Sequence, residues 1–336
     1  MPALDYVRIA RCIGRRDPAG LEAALRALEE PPEAIATMLR RHQLIGMIGR
    51  TLPHGLGGLP EPLASTMRAQ SVPAPELAEL MAVWNEVHGA LGTADVRSRL
   101  LKGAALGARL YGDPSLRPQH DVDVLVRRRD FARARRVLRN LGFRSAGRDL
   151  HSRTFERGRL KVDLHWCLRW APAYRIDETC VWEGATSGMA VGVAFETLTD
   201  EWTLVLLALA AFEDLGQGMA KLKQLLDLHL CCAQVEKGVG LASFLAARKP
   251  EGIDGAVAAA LGVARELFEH ETTEPEALAL TFADRKAPAN LEWFARSYPG
   301  NLAHYLAWFW LGGFPGNLRT LAAAHPLRSL RLALRR

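Results

Sequence analysis

The sequence predicts an α+β protein with a small mixed β-sheet in the middle of the chain and helical regions on both sides. Three observations carry this. Apolar residues recur at helical spacing from the N-terminus to about residue 50 and again over 75–92. From 97 to 166 the texture changes to short β-type runs separated by a helical segment. From about 197 the β signal stops and helical spacing resumes. With 336 residues, about twice the usual domain prior of roughly 150, the chain divides into a helical region over 1–95, an α/β core over 96–195 and a helical domain over 196–336.

In order, Leu21, Leu25 and Leu28 mark one helix and Ile35, Met38 and Leu39 the next, with Pro31–Pro32 breaking them apart. The Gly- and Pro-rich run 51–62 reads as a loop. RSRLL (97–101), DVDVLV (121–126) and LKVDLHW (160–166) read as strands, and RTFER (153–157) pairs with the last through a turn at Gly158–Arg159. Between them, 130–143 places Phe131, Ala134, Leu138 and Leu141 on one helical face, with Gly142 as the stop. After 197, Thr199 with acids at 200 and 201 opens a buried helix, and helices continue to the end.

Composition excludes several classes. A hydrophobic fraction of 49% with 24% charged residues is that of a globular chain, not a disordered or fibrous one. The longest apolar run, Leu204 to Phe212, falls far short of the roughly 20 residues that span a bilayer. Asp5 and the lack of an early apolar stretch argue against a signal peptide. Five cysteines without Cys-x-x-Cys spacing give neither a disulfide framework nor a zinc site, so a reducing cytoplasm is the expected location.

The chemistry concentrates in 101–129. Asp121 and Asp123 are two apart in a β-type run, so their carboxylates share one strand face. Carboxylates that close repel unless a cation lies between them, and hard oxygen donors suit Mg²⁺, with Mn²⁺ as an alternative. Asp163 sits in the later strand with Lys161 and His165 on its face, completing a set able to hold two metal ions for attack on phosphorus. A solvated strand face is the plain alternative for the Asp-x-Asp pair alone. Lys102–Gly103 ahead of a helix-prone segment weighs against it, because glycine there permits a tight turn that faces a helix N-terminus toward a phosphate.

LLKGAAL (100–106), Arg117–Pro118, DVDVLV and VDLHW (162–166), in that order, resemble the bacterial family of uncharacterised nucleotidyltransferases within the DNA polymerase β-like nucleotidyltransferase superfamily. The resemblance is densest over 97–170, with echoes at 40–52 and 196–230. It implies a nucleotidyltransferase core in which Asp121 and Asp123 bind both metals, Asp163 shares the catalytic metal and helps deprotonate an acceptor hydroxyl, and Lys102 and Gly103 hold the β- and γ-phosphates of an NTP. The superfamily turn is commonly Gly-Gly or Gly-Ser, whereas this chain has Lys-Gly-Ala.

Arg117 is placed to reach a triphosphate or to lie in solvent, and His165 to orient Asp163, touch an acceptor or serve structure. Lys221 and Lys223 are candidates to reach a phosphate, although Lys223 and Asp227 are spaced to pair on one helix. The expected activity is NMP transfer from an NTP to a small-molecule or peptide hydroxyl with release of pyrophosphate. The alternatives are nucleotidylation of tRNA or protein, γ-phosphoryl transfer, and a non-catalytic nucleotide or nucleic-acid-binding module, with RNA a candidate partner. Charge distribution favours the phosphate reading. The net charge is +6, yet 97–161 holds 18 Lys plus Arg against 6 Asp plus Glu, while the rest of the chain has 25 against 31.

Overall fold

The computed structural model describes residues 2–71, 75–149, 151–169, 174, 176–216 and 220–269. The expected helices beyond 269 and the basic stretch 325–336 lie outside the described residues. The chain clusters into two compact units. The first holds Met1–Leu168, Trp182–Thr199 and Lys221–Leu230; the second holds Arg169–Val181, Asp200–Ala220 and the chain from Cys231.

The first unit opens with helices α1 (Pro2–Arg15), α2 (Pro18–Arg26), α3 (Pro32–Arg41), α4 (Ile45–Thr51), α5 (Glu61–Gln70) and α6 (Leu77–Thr93). Local chemistry sets their starts. Asp17 accepts a hydrogen bond from the Gly20 N–H to cap α2, Pro32 occupies the first turn of α3, and Glu76 and Glu79 form a reciprocal capping box at α6. The expected loop at 51–62 contains one short 3₁₀ turn, Gly55–Gly58.

A five-stranded sheet follows: β1 (Ser98–Leu100), then α7 (Ala104–Tyr111), β2 (Val122–Val126), α8 (Phe131–Asn140), β3 (Arg144–Arg148), β4 (Ser152–Arg157) and β5 (Leu160–His165). Spatial order is β1-β2-β5-β4-β3; β2 and β5 run parallel and every other neighbouring pair is antiparallel. The expected hairpin forms between β4 and β5, with Gly158 at φ 61°. Val122, Val124, Phe155, Val162 and Leu164 turn to one face and join Trp84 and Val87 of α6 in a buried core. This burial defines the sheet: the alternate residues Asp123, Thr154, Asp163 and His165 are left on the other face.

Three strands escape the sequence reading. β3 is an edge strand of sequence RSAGR, mostly exposed, with no apolar alternation to announce it. After α9 (Glu178–Glu183), β6 (Thr186–Ala190) and β7 (Val193–Thr197) pair as a hairpin turning at Val191–Gly192, both at positive φ. β6 carries Gly188 because a side chain there would collide with the Phe195 ring.

Helices α10 (Asp200–Gly216), α11 (Leu222–Gly238), α12 (Leu241–Ala247) and α13 (Asp254–Glu269) complete the described chain. In the second unit α10 packs on α13, and the Arg248 guanidinium lies 4.5 Å from the centre of the Trp202 ring. Glu213 pairs with Arg169 and accepts a 3.0 Å bond from the Tyr174 hydroxyl. Cys231 and Cys232 are buried in helix packing. Among the described residues no single helix is long and apolar enough to cross a membrane.

Candidate active site

The parallel pairing of β2 with β5 sets Asp123 directly beside Asp163. Neighbouring strands lie about 4.8 Å apart, so these two side chains leave the same face as close neighbours. Asp121 immediately precedes β2 on the same side of the pleat. The two-residue spacing and the strand alternation seen in the sequence therefore do bring the three acids together.

Their environments differ. Burial, together with the charges of Asp123 and Asp163, pushes the Asp121 carboxyl up to about 7. Asp123 is 7% exposed, and burial alone would raise it as well. The Lys102 charge and the His165 hydrogen bond outweigh burial and hold it well below the usual carboxylate range. Asp163 keeps one oxygen, Oδ1, buried and without a hydrogen-bond partner.

His165 lies on the acid face as expected, but it engages Asp123 rather than Asp163. Its Nε2 is 2.9 Å from Asp123 Oδ1, and its Nδ1 is buried without a partner. Lys102 Nζ lies 3.5 Å from the same Asp123 oxygen. The backbone carries it there: the Leu101 N–H donates to the Asp123 carbonyl, one step beyond the β1–β2 ladder. Gly103 begins α7 at φ 55°, ψ −121°, and a Cβ there would overlap the Gln119 side-chain amide. Both the backbone region and the close approach demand glycine.

Arg117 takes a partner the sequence did not indicate. Its Nε and Nη2 donate to Asp227 Oδ2 at 2.9 and 2.8 Å, and Tyr111 Oη donates to Asp227 Oδ1 at 2.8 Å. Asp227 is 1% exposed. Burial works against the Arg117 charge, but Asp227, together with Tyr111 and Asp123, outweighs it and raises it. Lys223, spaced to pair with Asp227, instead donates to the Pro118 carbonyl at 2.9 Å. Its burial and the Arg117 charge lower it to about 7. Pro118 also presses on Gly46 of α4, where no side chain would fit.

Tyr111 and His42 were given no role by the sequence, and Asp227 was read only as a partner for Lys223. His42 Nδ1 accepts a bond from the Leu222 N–H at the start of α11. An i,i+4 spacing was the only signal at Asp227, and it pointed to the wrong partner.

The acids do not form a closed cage. Among the described residues no group of three His, Cys, Asp or Glu side chains is arranged to hold an ion as it stands. The donor chemistry fits a divalent cation nonetheless: hard carboxylate oxygens only, one of them buried and unpartnered, with burial and then mutual repulsion raising Asp121.

A model of the uncharacterised nucleotidyltransferase family matches residues 29–269. The chain belongs to that family. No curated protein sequence matches it. Among solved structures, antibiotic-resistance factor ANT(2'')-Ia is similar at 14% identity with a TM-score of 0.42, covering 52% of this chain and 93% of its own. An antigenic nucleotidyltransferase-like protein from Paracoccidioides brasiliensis is similar at 16% identity with a TM-score of 0.35, covering 56% and 95%. Within this nucleotidyltransferase the matched region takes in the whole sheet and all three acids.

Proposed function

We propose that the protein transfers a nucleoside monophosphate from an NTP to a hydroxyl of a small-molecule or peptide acceptor, releasing pyrophosphate. The observation that carries this reading is the side-by-side register of Asp123 and Asp163, with Asp121 beside them and Asp163 Oδ1 unpartnered. Asp121, Asp123 and Asp163 would hold Mg²⁺, or Mn²⁺ in its place. Bound there, the metal would supply charge neutralisation at the triphosphate and lower the pKa of the attacking hydroxyl.

The chain's own residues do the rest. Lys102 and His165 keep Asp123 ionised, so it is a ready anionic ligand. The Asp163 carboxylate takes the proton from the acceptor hydroxyl. The acceptor oxygen then bonds to the α-phosphorus, the bond to the β-phosphate oxygen breaks, and pyrophosphate leaves with its electrons. Gly103 lets the start of α7 come close to the phosphates, and the local positive charge of 97–161 favours a polyanion. Arg117, already bound to Asp227, acts by fixing the segment that leads into Asp121.

The test uses NTPs labelled at the α- or γ-phosphate with acceptor panels, beside Asp121→Asn and Asp163→Asn. Transfer of α-label that the substitutions abolish supports the reading. Transfer of γ-label alone replaces it with phosphoryl transfer. Label in RNA or protein rather than small molecules moves the acceptor to a macromolecule. RNA binding without any transfer identifies a binding module.

A further inference from the structure

On the side of the sheet away from the acids lies a second constellation. A cavity of about 290 Å³ is lined by Arg128, Phe131, Arg135, Arg148, Arg153 and Trp166. Strand alternation separates it from the acid row: Arg153 is one residue from Thr154, which pairs with Asp163, and Trp166 is one residue beyond His165. Its volume is at the small end of the roughly 300–1,000 Å³ of ligand pockets.

The arrangement gathers positive charge. Arg148 and Arg153 are register partners on adjacent strands, where like charges oppose each other unfavourably. Among the described residues no carboxylate lines the cavity. The Nε atoms of Arg135 and Arg153 are buried without an acceptor. Burial and the charges of Arg135, Arg148 and Arg139 hold the Arg153 guanidinium below its ordinary range. Four guanidinium groups offer paired donors matched to phosphate oxygens. Phe131 and Trp166 meet edge to face with ring centres 4.6 Å apart, giving an aromatic wall on which a planar ring can stack.

We propose that this cavity binds a nucleotide unit carrying a terminal phosphate, with its phosphate among the four arginines and its base against Phe131 and Trp166, as a site separate from the acid row. A free mononucleotide and the 5′-phosphorylated end of an RNA strand present this same chemistry. The site does not depend on the reaction assigned to the acids.

The test is calorimetric titration of the full chain in EDTA with AMP, adenosine, inorganic phosphate and the 5′-phosphorylated dinucleotide pApA. AMP is expected to bind, with adenosine and inorganic phosphate each about tenfold weaker or more. Arg135→Gln and Arg153→Gln should each weaken AMP about tenfold or more, whereas Asp163→Asn leaves its affinity unchanged. A failure of Asp163→Asn to transfer label, with AMP binding intact, would bear on the acid row alone. If Arg153→Gln does not fold, Arg135→Gln on α8 decides. Tighter binding of pApA than of AMP assigns the site to strand ends; equal or weaker binding assigns it to free nucleotides. Absence of AMP binding, indifference of the affinity to both arginine substitutions, or loss of binding in Asp163→Asn overturns the proposal.

Discussion

Arg117 and Asp227 form a buried ion pair at 2.8 Å, joining the segment that leads into Asp121 to the first half of α11. The Arg117 side chain is 10% exposed and that of Asp227 is 1% exposed, so neither charge has water to fall back on. Tyr111 supplies Asp227 with a further donor. Removing one member strands the other. Asp227→Ala should cost about 3–5 kcal/mol of stability, read as a lower urea midpoint. Arg117→Met combined with Asp227→Leu should recover most of that loss, because both charges are then gone. A double variant no more stable than Asp227→Ala would show that the pair is not what the fold depends on here.

Gly103→Ala should destabilise by about 1–3 kcal/mol for the backbone alone, since φ 55° with ψ −121° is open in practice only to glycine. The new methyl also collides with Gln119. Adding Gln119→Ala should therefore recover part of the loss and leave the backbone share. Full recovery would place the whole cost in the collision.

Asp163→Asn should lower turnover by about 10²- to 10⁴-fold with folding intact by circular dichroism, as expected for losing the group proposed to accept the hydroxyl proton. Chelation of divalent ions should abolish turnover in the wild type, and Mg²⁺ should restore it. Turnover that survives EDTA would remove the metal from the proposed mechanism.

His42 makes stability depend on pH. Burial, aided by the Arg41 charge, lowers its imidazole to about 4, and its neutral Nδ1 accepts the Leu222 N–H. Between about 4 and the ordinary value of 6.5 the unfolded chain binds a proton that the folded chain refuses. Stability from this residue is thus whole above 6.5 and is lost as pH falls toward 4. Urea midpoints measured from pH 7 down to 4 should decline, and the decline should be shallower in His42→Gln. Parallel declines in both proteins would assign the acid sensitivity elsewhere.

The acid row was legible because strand periodicity is a local rule: two residues apart means one face, and Asp121, Asp123 and Asp163 obeyed it. The hairpin at Gly158–Arg159 was legible for the same reason. β3 and β6 were not, since RSAGR and TSGMA lack alternating apolar residues and pair only because neighbouring strands offer them an edge. Arg117 shows the other limit. Its partner lies 110 residues away, and no spacing rule reaches that far. Nor does the sequence disclose that His165 turns toward Asp123, 42 residues back, since alternation gives a face but not a partner.

β5 is inserted between β2 and β4, and it meets β2 in parallel while meeting β4 through a tight turn. The antiparallel contact closes a two-residue loop; the parallel one must close a loop holding α8, β3 and β4. During synthesis the Asp121–Asp123 strand emerges well before its neighbour exists, with β1 as its sole available sheet partner. The three-acid face is therefore absent from any nascent chain shorter than β5, and its appearance is a late, long-range docking event rather than a local one. A ribosome-bound chain halted ahead of Leu160 would hold two of the three acids without the strand that sets the third beside them.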